Sequence, residues 1–189
     1  MKAIVCTKYG SPDVLQLKEV EKPVPKDNEA LVKVHAASLN AADLEYLRGV
    51  FIVRLLYRGL LKPKNTILGS DIAGQVEAVG RNVTQFQPGD EIWGDLSYPY
   101  SFGTFAEYVC VPENALRLKP ASMTFEEAAT IPTAGVVALQ NLRGKRPIQP
   151  GQKVLINGAG GGAGTFAVQL AKYFGAEVTG VDSTRANSA

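Results

Sequence analysis

Residues 153 to 181 read KVLIN, then GAGGGAG, then TFAVQLAKYFG, then AEVTGV, and this order restricts the fold more than any other feature of the chain. KVLIN is short, apolar and without alternation, the pattern of a parallel strand covered on both faces. In the third piece Phe166, Ala167, Leu170, Ala171 and Phe174 recur at helical spacing. Strand, glycine loop, helix and strand together predict one βαβ unit.

A loop without side chains lets backbone N–H groups approach a pyrophosphate, and the following helix N-terminus places its partial positive charge there. The dinucleotide fingerprint fits in two registers. Gly158, Gly160 and Ala163 satisfy G-x-G-x-x-A, while Ala159, Gly161 and Gly164 satisfy it with Ala in first place. The second register is favoured because it sets Gly164 at the helix start, where close helix–strand contact needs the smallest residue. The candidate cofactor-binding residues are therefore Ala159, Gly160, Gly161, Gly162, Ala163 and Gly164. Beyond the second strand, Asp182 stands where an acidic residue would bind the ribose 2′-hydroxyl of NAD. Ser183, Thr184 and Arg185 supply the hydroxyls and guanidinium that a 2′-phosphate would want. The segment thus points toward both NADH and NADPH.

Upstream the pattern is different. Short strands broken by Gly/Pro turns are expected at AIVC, VLQLKEV, ALVKVHAA, IAGQVEAVG and GTFAEYVCV, a spacing that suggests a compact β-barrel or sandwich. Asn40 is placed to cap a short helix through AADLEYLRG, and Asp43 and Arg48 on it read as a structural pair one turn apart. FIVRLLYRGLL at 51 to 61 reads as a helix on the barrel or as one wall of a substrate cleft. After residue 120 the sequence changes, opening with a capping box of Thr124 and Glu127 and an Ala-rich helix interrupted at Pro132. The expected division is a β-rich domain over 1–120 and a nucleotide-binding domain over 121–189.

Several function classes are disfavoured. With 20 Lys and Arg against 18 Asp and Glu the net charge is only +2, which argues against binding nucleic acid or a membrane through charge alone. No stretch approaches the roughly 20 apolar residues of a membrane span. Two cysteines, Cys6 and Cys110, make no disulfide framework, and a cytoplasmic setting is expected. The single histidine, His35, lies in an alternating run and reads as a strand residue, which argues against imidazole-dependent catalysis.

Five segments together resemble a known family: SLNAAD at 38 to 43, ILGSDIAGQVEAVG at 67 to 80, FQPGDEIWG at 86 to 94, GTFAEYV at 103 to 109, and PGQKVLINGAGGGAGTFAVQLAKYFGAEVTGV at 150 to 181. They are similar to the zinc-independent quinone oxidoreductase branch of the medium-chain dehydrogenase/reductase superfamily. The resemblance implies an α/β chain with a β-rich domain: a GroES-like barrel followed by the first βαβ unit of a Rossmann fold, apparently truncated. It implies hydride transfer from NADPH, or from NADH given Asp182, to a small-molecule quinone, enone or related carbonyl, and a possible homodimer of a longer parent protein. Where the zinc-bearing branch would carry Cys, His and Glu, this chain has Asn40, Ser70 and Asp71, so no zinc is expected.

Without a metal, hydride delivery relies on placement of the nicotinamide and on hydrogen bonds to the developing oxyanion. The resemblance makes Asn40 the leading donor and Tyr46 a group that could stack on or donate to a flat quinone. PTAGVVALQ resembles the segment that approaches the nicotinamide, with Thr133 as the candidate contact and Val137 where the family commonly has Thr. Asp71 is expected to be a buried hydrogen-bond acceptor anchoring the barrel. A dinucleotide fold is built from two βαβαβ halves. A fragment of a reductase is therefore expected, and a non-catalytic GroES-like binding module is the alternative.

Overall fold

The computed structural model describes residues 1–56, 60–97, 103–144 and 146–183, without the side chains of Val53 and Leu56. Thr184 and Arg185, and residues 57–59 of the apolar stretch, lie outside the described residues. The chain divides into two compact units, Met1–Pro132 and Thr133–Ala189.

In the first unit a five-stranded sheet forms in which every neighbour is antiparallel. Its strands are β3 (Glu29–Ala36), β4 (Asp71–Val79), β5 (Glu91–Asp95), β6 (Tyr108–Pro112) and β7 (Leu116–Leu118), in the spatial order β6-β3-β4-β5-β7. Ala30 and Val32 of β3, Ile72 and Val76 of β4, Ile92 of β5 and Val109 and Val111 of β6 meet in one core with Phe86, Leu96 and Leu116. Each large member contributes about 1.5–3 kcal/mol by leaving water. β1 (Lys2–Cys6) and β2 (Leu15–Glu19) form a separate antiparallel hairpin, joined to the rest by bridges of Ala3 to Ala106 and Val5 to Ile67.

Among the described residues, short α-helices decorate this unit: α1 (Ala41–Arg48), α2 (Phe51–Leu56) and α3 (Phe125–Ala129). α1 is seated by Tyr46 and Leu47, which pack with Cys6 and Leu68, and it ends at Gly49 in the left-handed conformation, φ 63°. α3 starts on the expected capping box, with the Glu127 N–H donating to Thr124 Oγ1 at 3.1 Å and the Thr124 N–H donating to Glu127 Oε2 at 2.9 Å. Its Ala128 and Ala129 pack on Ala73 of β4, and for that reason the first unit runs past residue 120 to Pro132.

Two strands, β5 and β7, go beyond the periodicity reading. β5 is EIWGD, where only Ile92 and Gly94 are buried. A Cβ at Gly94 would stand 2.2 Å from the Ala115 carbonyl oxygen, so this glycine is a close-approach residue inside a strand, not a turn. Within GTFAEYVCV only the second half joins the sheet.

The second unit comprises α4 (Pro132–Leu142, from its second residue on), β8 (Lys153–Asn157), α5 (Gly162–Tyr173) and β9 (Glu177–Val181). β8 and β9 pair in parallel from Lys153 with Glu177 to Asn157 with Val181, the βαβ unit expected. Leu142, Ile156 and Ala171 form its core with Val154, Ala167, Leu170, Phe174 and Val178. β8 is not covered on both faces: Ile156 is buried against α5, whereas Leu155 is 68% exposed. Among the described residues no helix is long and apolar enough to cross a membrane.

Candidate functional site

Each unit carries one polar constellation. In the first, the chain leaves β3 through Ser38 and enters α1 at Asn40, beside Asp71 at the start of β4. Asp71 and Ser70 are buried, at 0% and 1% exposure. Asp71 Oδ2 accepts the Ser38 hydroxyl at 2.6 Å and the Asn40 amide at 3.0 Å, and the same amide donates to Ser38 Oγ at 3.2 Å. A carboxylate only accepts, so the Asn40 amide nitrogen must face Asp71, and its side-chain orientation is set. Both amide hydrogens are committed within this network, and the oxyanion donor expected at Asn40 is already hydrogen-bonded inside the unit. Ser38, whose hydroxyl links the other two, carried no role in the sequence reading; its signal was its place two residues before Asn40.

The cap of α1 is made by Asp43. Its Oδ2 accepts the Asn40 N–H at 2.7 Å, and its own N–H donates to the Asn40 carbonyl at 3.0 Å. Asp43 is therefore no partner of Arg48: the carboxyl turns inward and is 2% exposed, while Arg48 faces solvent. The second oxygen, Oδ1, is buried without a hydrogen bond of good geometry. Burial pushes the Asp43 carboxyl up to about 6, aided by the charges of Asp71 and Asp95 and opposed by the N–H groups of Asn40 and Gly69.

Tyr46, expected to meet a flat substrate, lies inside the α1 core at 1% exposure. Its hydroxyl donates to the Asn65 carbonyl at 3.3 Å, and its ring packs edge-on to Tyr9 with centroids 6.4 Å apart. Tyr46 thus packs α1 against the hairpin, a contribution that the helical spacing of Tyr46 and Leu47 signals. His35 is an exposed strand residue stacked on Phe125 at 4.3 Å.

In the second unit the glycine loop runs from β8 to α5. Gly158 adopts φ 75°, a conformation that favours glycine. The N–H groups of Gly158 and Ala159 donate to the Val181 carbonyl at 2.8 and 3.1 Å, closing the loop over the end of β9. A Cβ at Gly164 would lie 1.9 Å from the Gly158 carbonyl oxygen, so the close-contact glycine is Gly164, as the register Ala159, Gly161, Gly164 requires. Gly161 is the N-cap of α5, and the first intrahelical bond is from the Thr165 N–H to the Gly161 carbonyl at 2.9 Å. The first-turn N–H groups of Gly162, Ala163 and Gly164 therefore have no intrahelical acceptor. A Cβ at Gly162 would stand 3.9 Å from that of Ala134, which brings the first turn of α4, and with it Thr133, beside the loop.

Asp182 closes the far end. Its Oδ2 accepts the Gly160 N–H and its Oδ1 the Ser183 N–H at 2.7 Å. The carboxylate is thus held at the loop mouth with lone pairs to spare, a geometry suited to accepting hydroxyl hydrogens and repelling a further anion. A pyrophosphate fits the small-residue cradle and the first-turn amides of α5. Among the described residues no group of three or more His, Cys, Asp or Glu could hold a metal ion.

Comparison with known proteins agrees with this architecture. Residues 26–121 match the alcohol dehydrogenase GroES-like domain. The chain is 38% identical over 191 residues to the 2-methylene-furan-3-one reductase of Solanum lycopersicum, covering 97% of this chain and 47% of that protein. The quinone oxidoreductase of Coxiella burnetii superposes with a TM-score of 0.89 at 37% identity, covering 98% of this chain and 57% of that one. The quinone oxidoreductase of Escherichia coli, solved in complex with NADPH, gives 0.86 at 29% identity, with 98% and 54% covered. The chain spans about half the length of the curated relatives it matches. A GroES-like unit followed by a Rossmann-type βαβ unit, with these relatives over nearly its whole length, makes this chain a member of the quinone oxidoreductase branch of the medium-chain dehydrogenase/reductase superfamily.

Proposed function

We propose that the protein to which this sequence belongs is a zinc-free NAD(P)H-dependent oxidoreductase that delivers hydride to a quinone, enone or related carbonyl. The observation that carries this reading is the glycine loop, with Gly164 against the Gly158 carbonyl and three first-turn amides facing outward from the helix. A bound nicotinamide cofactor supplies the hydride. The backbone from Ala159 to Gly164 holds its pyrophosphate, and Asp182, Ser183, Thr184 and Arg185 meet its adenosine ribose. Thr133, beside the loop, approaches the nicotinamide end.

Asn40 serves as the oxyanion donor by releasing the longer of its two amide bonds, the 3.2 Å one to Ser38 Oγ, while the bond to Asp71 keeps the amide in register. The donor set Asn40, Ser70 and Asp71 suits hydrogen bonding better than zinc, since it offers one carboxylate, already engaged by Ser38 and Asn40. The names of the relatives support the substrate class: one reduces a methylene-furanone and others are quinone oxidoreductases. NADH is a specific second reading for the cofactor, favoured by the Asp182 carboxylate at the loop mouth.

The test is a titration of the chain with NADPH and NADH, beside Gly164→Val. Saturable micromolar binding by the parent chain and a loss of at least tenfold in the variant, with the first unit still folded, are expected. Equal binding by the two proteins would remove the loop from cofactor recognition, and no binding by a folded chain would leave a GroES-like binding module as the better description.

A further inference from the structure

A loop that gives up its side chains cannot hold itself in place through them, and the succession Gly160, Gly161, Gly162 leaves its backbone the greatest freedom. The loop's N–H groups show what restrains it. Those of Gly158 and Ala159 donate to the Val181 carbonyl, and that of Gly161 to the Gly158 carbonyl at 3.1 Å. The Gly160 N–H between them donates instead to a side chain, at Asp182 Oδ2. The N–H groups from Gly158 to Gly161 are therefore all spent inside the unit. A pyrophosphate is left with those of Gly162, Ala163 and Gly164 in the first turn of α5.

The space around the glycines points the same way. Cβ atoms at Gly161 and Gly162 would meet nothing nearer than 3.4 and 3.9 Å, ordinary van der Waals contacts, whereas a Cβ at Gly160 would run into Asp182 Oδ2. Of the three, Gly160 is where a side chain is excluded, and the group that excludes it is the Asp182 carboxylate. Asp182 Oδ1 meanwhile accepts the Ser183 N–H at 2.7 Å, which fixes the carboxylate at the end of β9. One residue thus fastens the middle of the loop to the neighbouring strand through a charge-assisted bond.

We infer that Asp182 is a positioning residue: it pins Gly160 so that the first-turn N–H groups of α5 stand ready for a phosphate before any cofactor arrives, apart from what the carboxylate does for a ribose. This role rests on the cofactor reading proposed above and adds to it. Removing Asp182 has two opposed effects. A negative charge leaves the neighbourhood of the anion, which favours binding, and the loop regains the freedom of its glycines, which disfavours it. The sign of the net change separates a staple from a like charge.

Inorganic pyrophosphate, which has no ribose, isolates the effect. The intact chain, Asp182→Ala and Asp182→Asn are titrated with it while NMR follows the amide resonances of Gly162, Ala163 and Gly164, and hydrogen exchange of the Gly160 amide is read in the same samples. Asn removes the charge but keeps an oxygen for the Gly160 N–H. Asp182→Asn should bind at least as tightly as the parent chain, and Asp182→Ala should lose about fivefold, the value of one such bond. Exchange at Gly160 should quicken by a similar factor in Asp182→Ala and not in Asp182→Asn. Asp182→Ala binding as tightly as Asp182→Asn, or exchange at Gly160 unchanged by either substitution, would overturn the inference and leave the cofactor reading standing. No binding by any of the three folded proteins would overturn both.

Discussion

Asp43→Asn offers the sharpest test of the polar cluster beneath α1. The Asp43 carboxyl has a folded-state value of about 6 against 3.8 for the free side chain, chiefly because it is buried. That difference of about two units corresponds to about 3 kcal/mol. The native state holds the proton more tightly than the unfolded chain does. The stabilisation from protonating Asp43 is therefore fully present below about 4 and is lost as pH rises through about 6. At pH 7.5 an ionised, 2% exposed carboxylate has one oxygen without a good partner. Asn keeps an acceptor for the Asn40 N–H and removes the charge, at a cost of about 1 kcal/mol for a weaker cap. Urea unfolding followed by the single tryptophan, Trp93 on β5 of the same unit, should be run on both proteins from pH 7.5 to 4. The stability difference should move by about 3 kcal/mol in favour of the parent chain as pH falls, since most other carboxylates cancel between the two proteins. A difference constant within about 0.5 kcal/mol would refute the assignment of an unfavourable buried charge.

Two further outcomes are expected. Thr124→Ala should destabilise the first unit by about 1 kcal/mol in the same urea assay, because it removes the side-chain half of the α3 capping box; a change below about 0.3 kcal/mol would mean that Glu127 alone suffices. Asp182→Ala should shift the ratio of NADPH to NADH affinities toward NADPH by about tenfold, the value of one like-charge contact near 1.4 kcal/mol. An unchanged ratio in parallel fluorescence titrations would take Asp182 out of ribose recognition.

How far the sequence disclosed this arrangement differs by unit. The βαβ segment was legible nearly to the residue, since glycine spacing and helical periodicity are local and the contact of Gly164 with Gly158 follows from both. β3 and β4 were legible from the alternation of their second halves, which is local in the same way. β5 and β7 were not, because β5 owes its place to a glycine forced against the Ala115 carbonyl, and β7 is a three-residue edge with one buried side chain. The polar cluster was half legible: Asn40 and Asp71 stood out. That Ser38 would join them, that Asp43 would cap α1 from within, and that Tyr46 would be closed into the core depend on the approach of β4 to the end of β3. No local pattern records that long-range pairing.

The pairing order also bears on how the chain acquires its structure. In the first unit β3 must find β6 across most of that unit's sequence before the main core exists, so its barrier is dominated by the entropy of closing long loops. In the second, β8, α5 and β9 follow one another directly, and their core residues are brought together by a single helical crossover. A ribosome releasing this chain would therefore deliver a slow, topologically demanding β unit first and a fast-forming one second. The glycine loop would then be assembled within a short time of its own synthesis, whether or not the strands ahead of it had finished pairing.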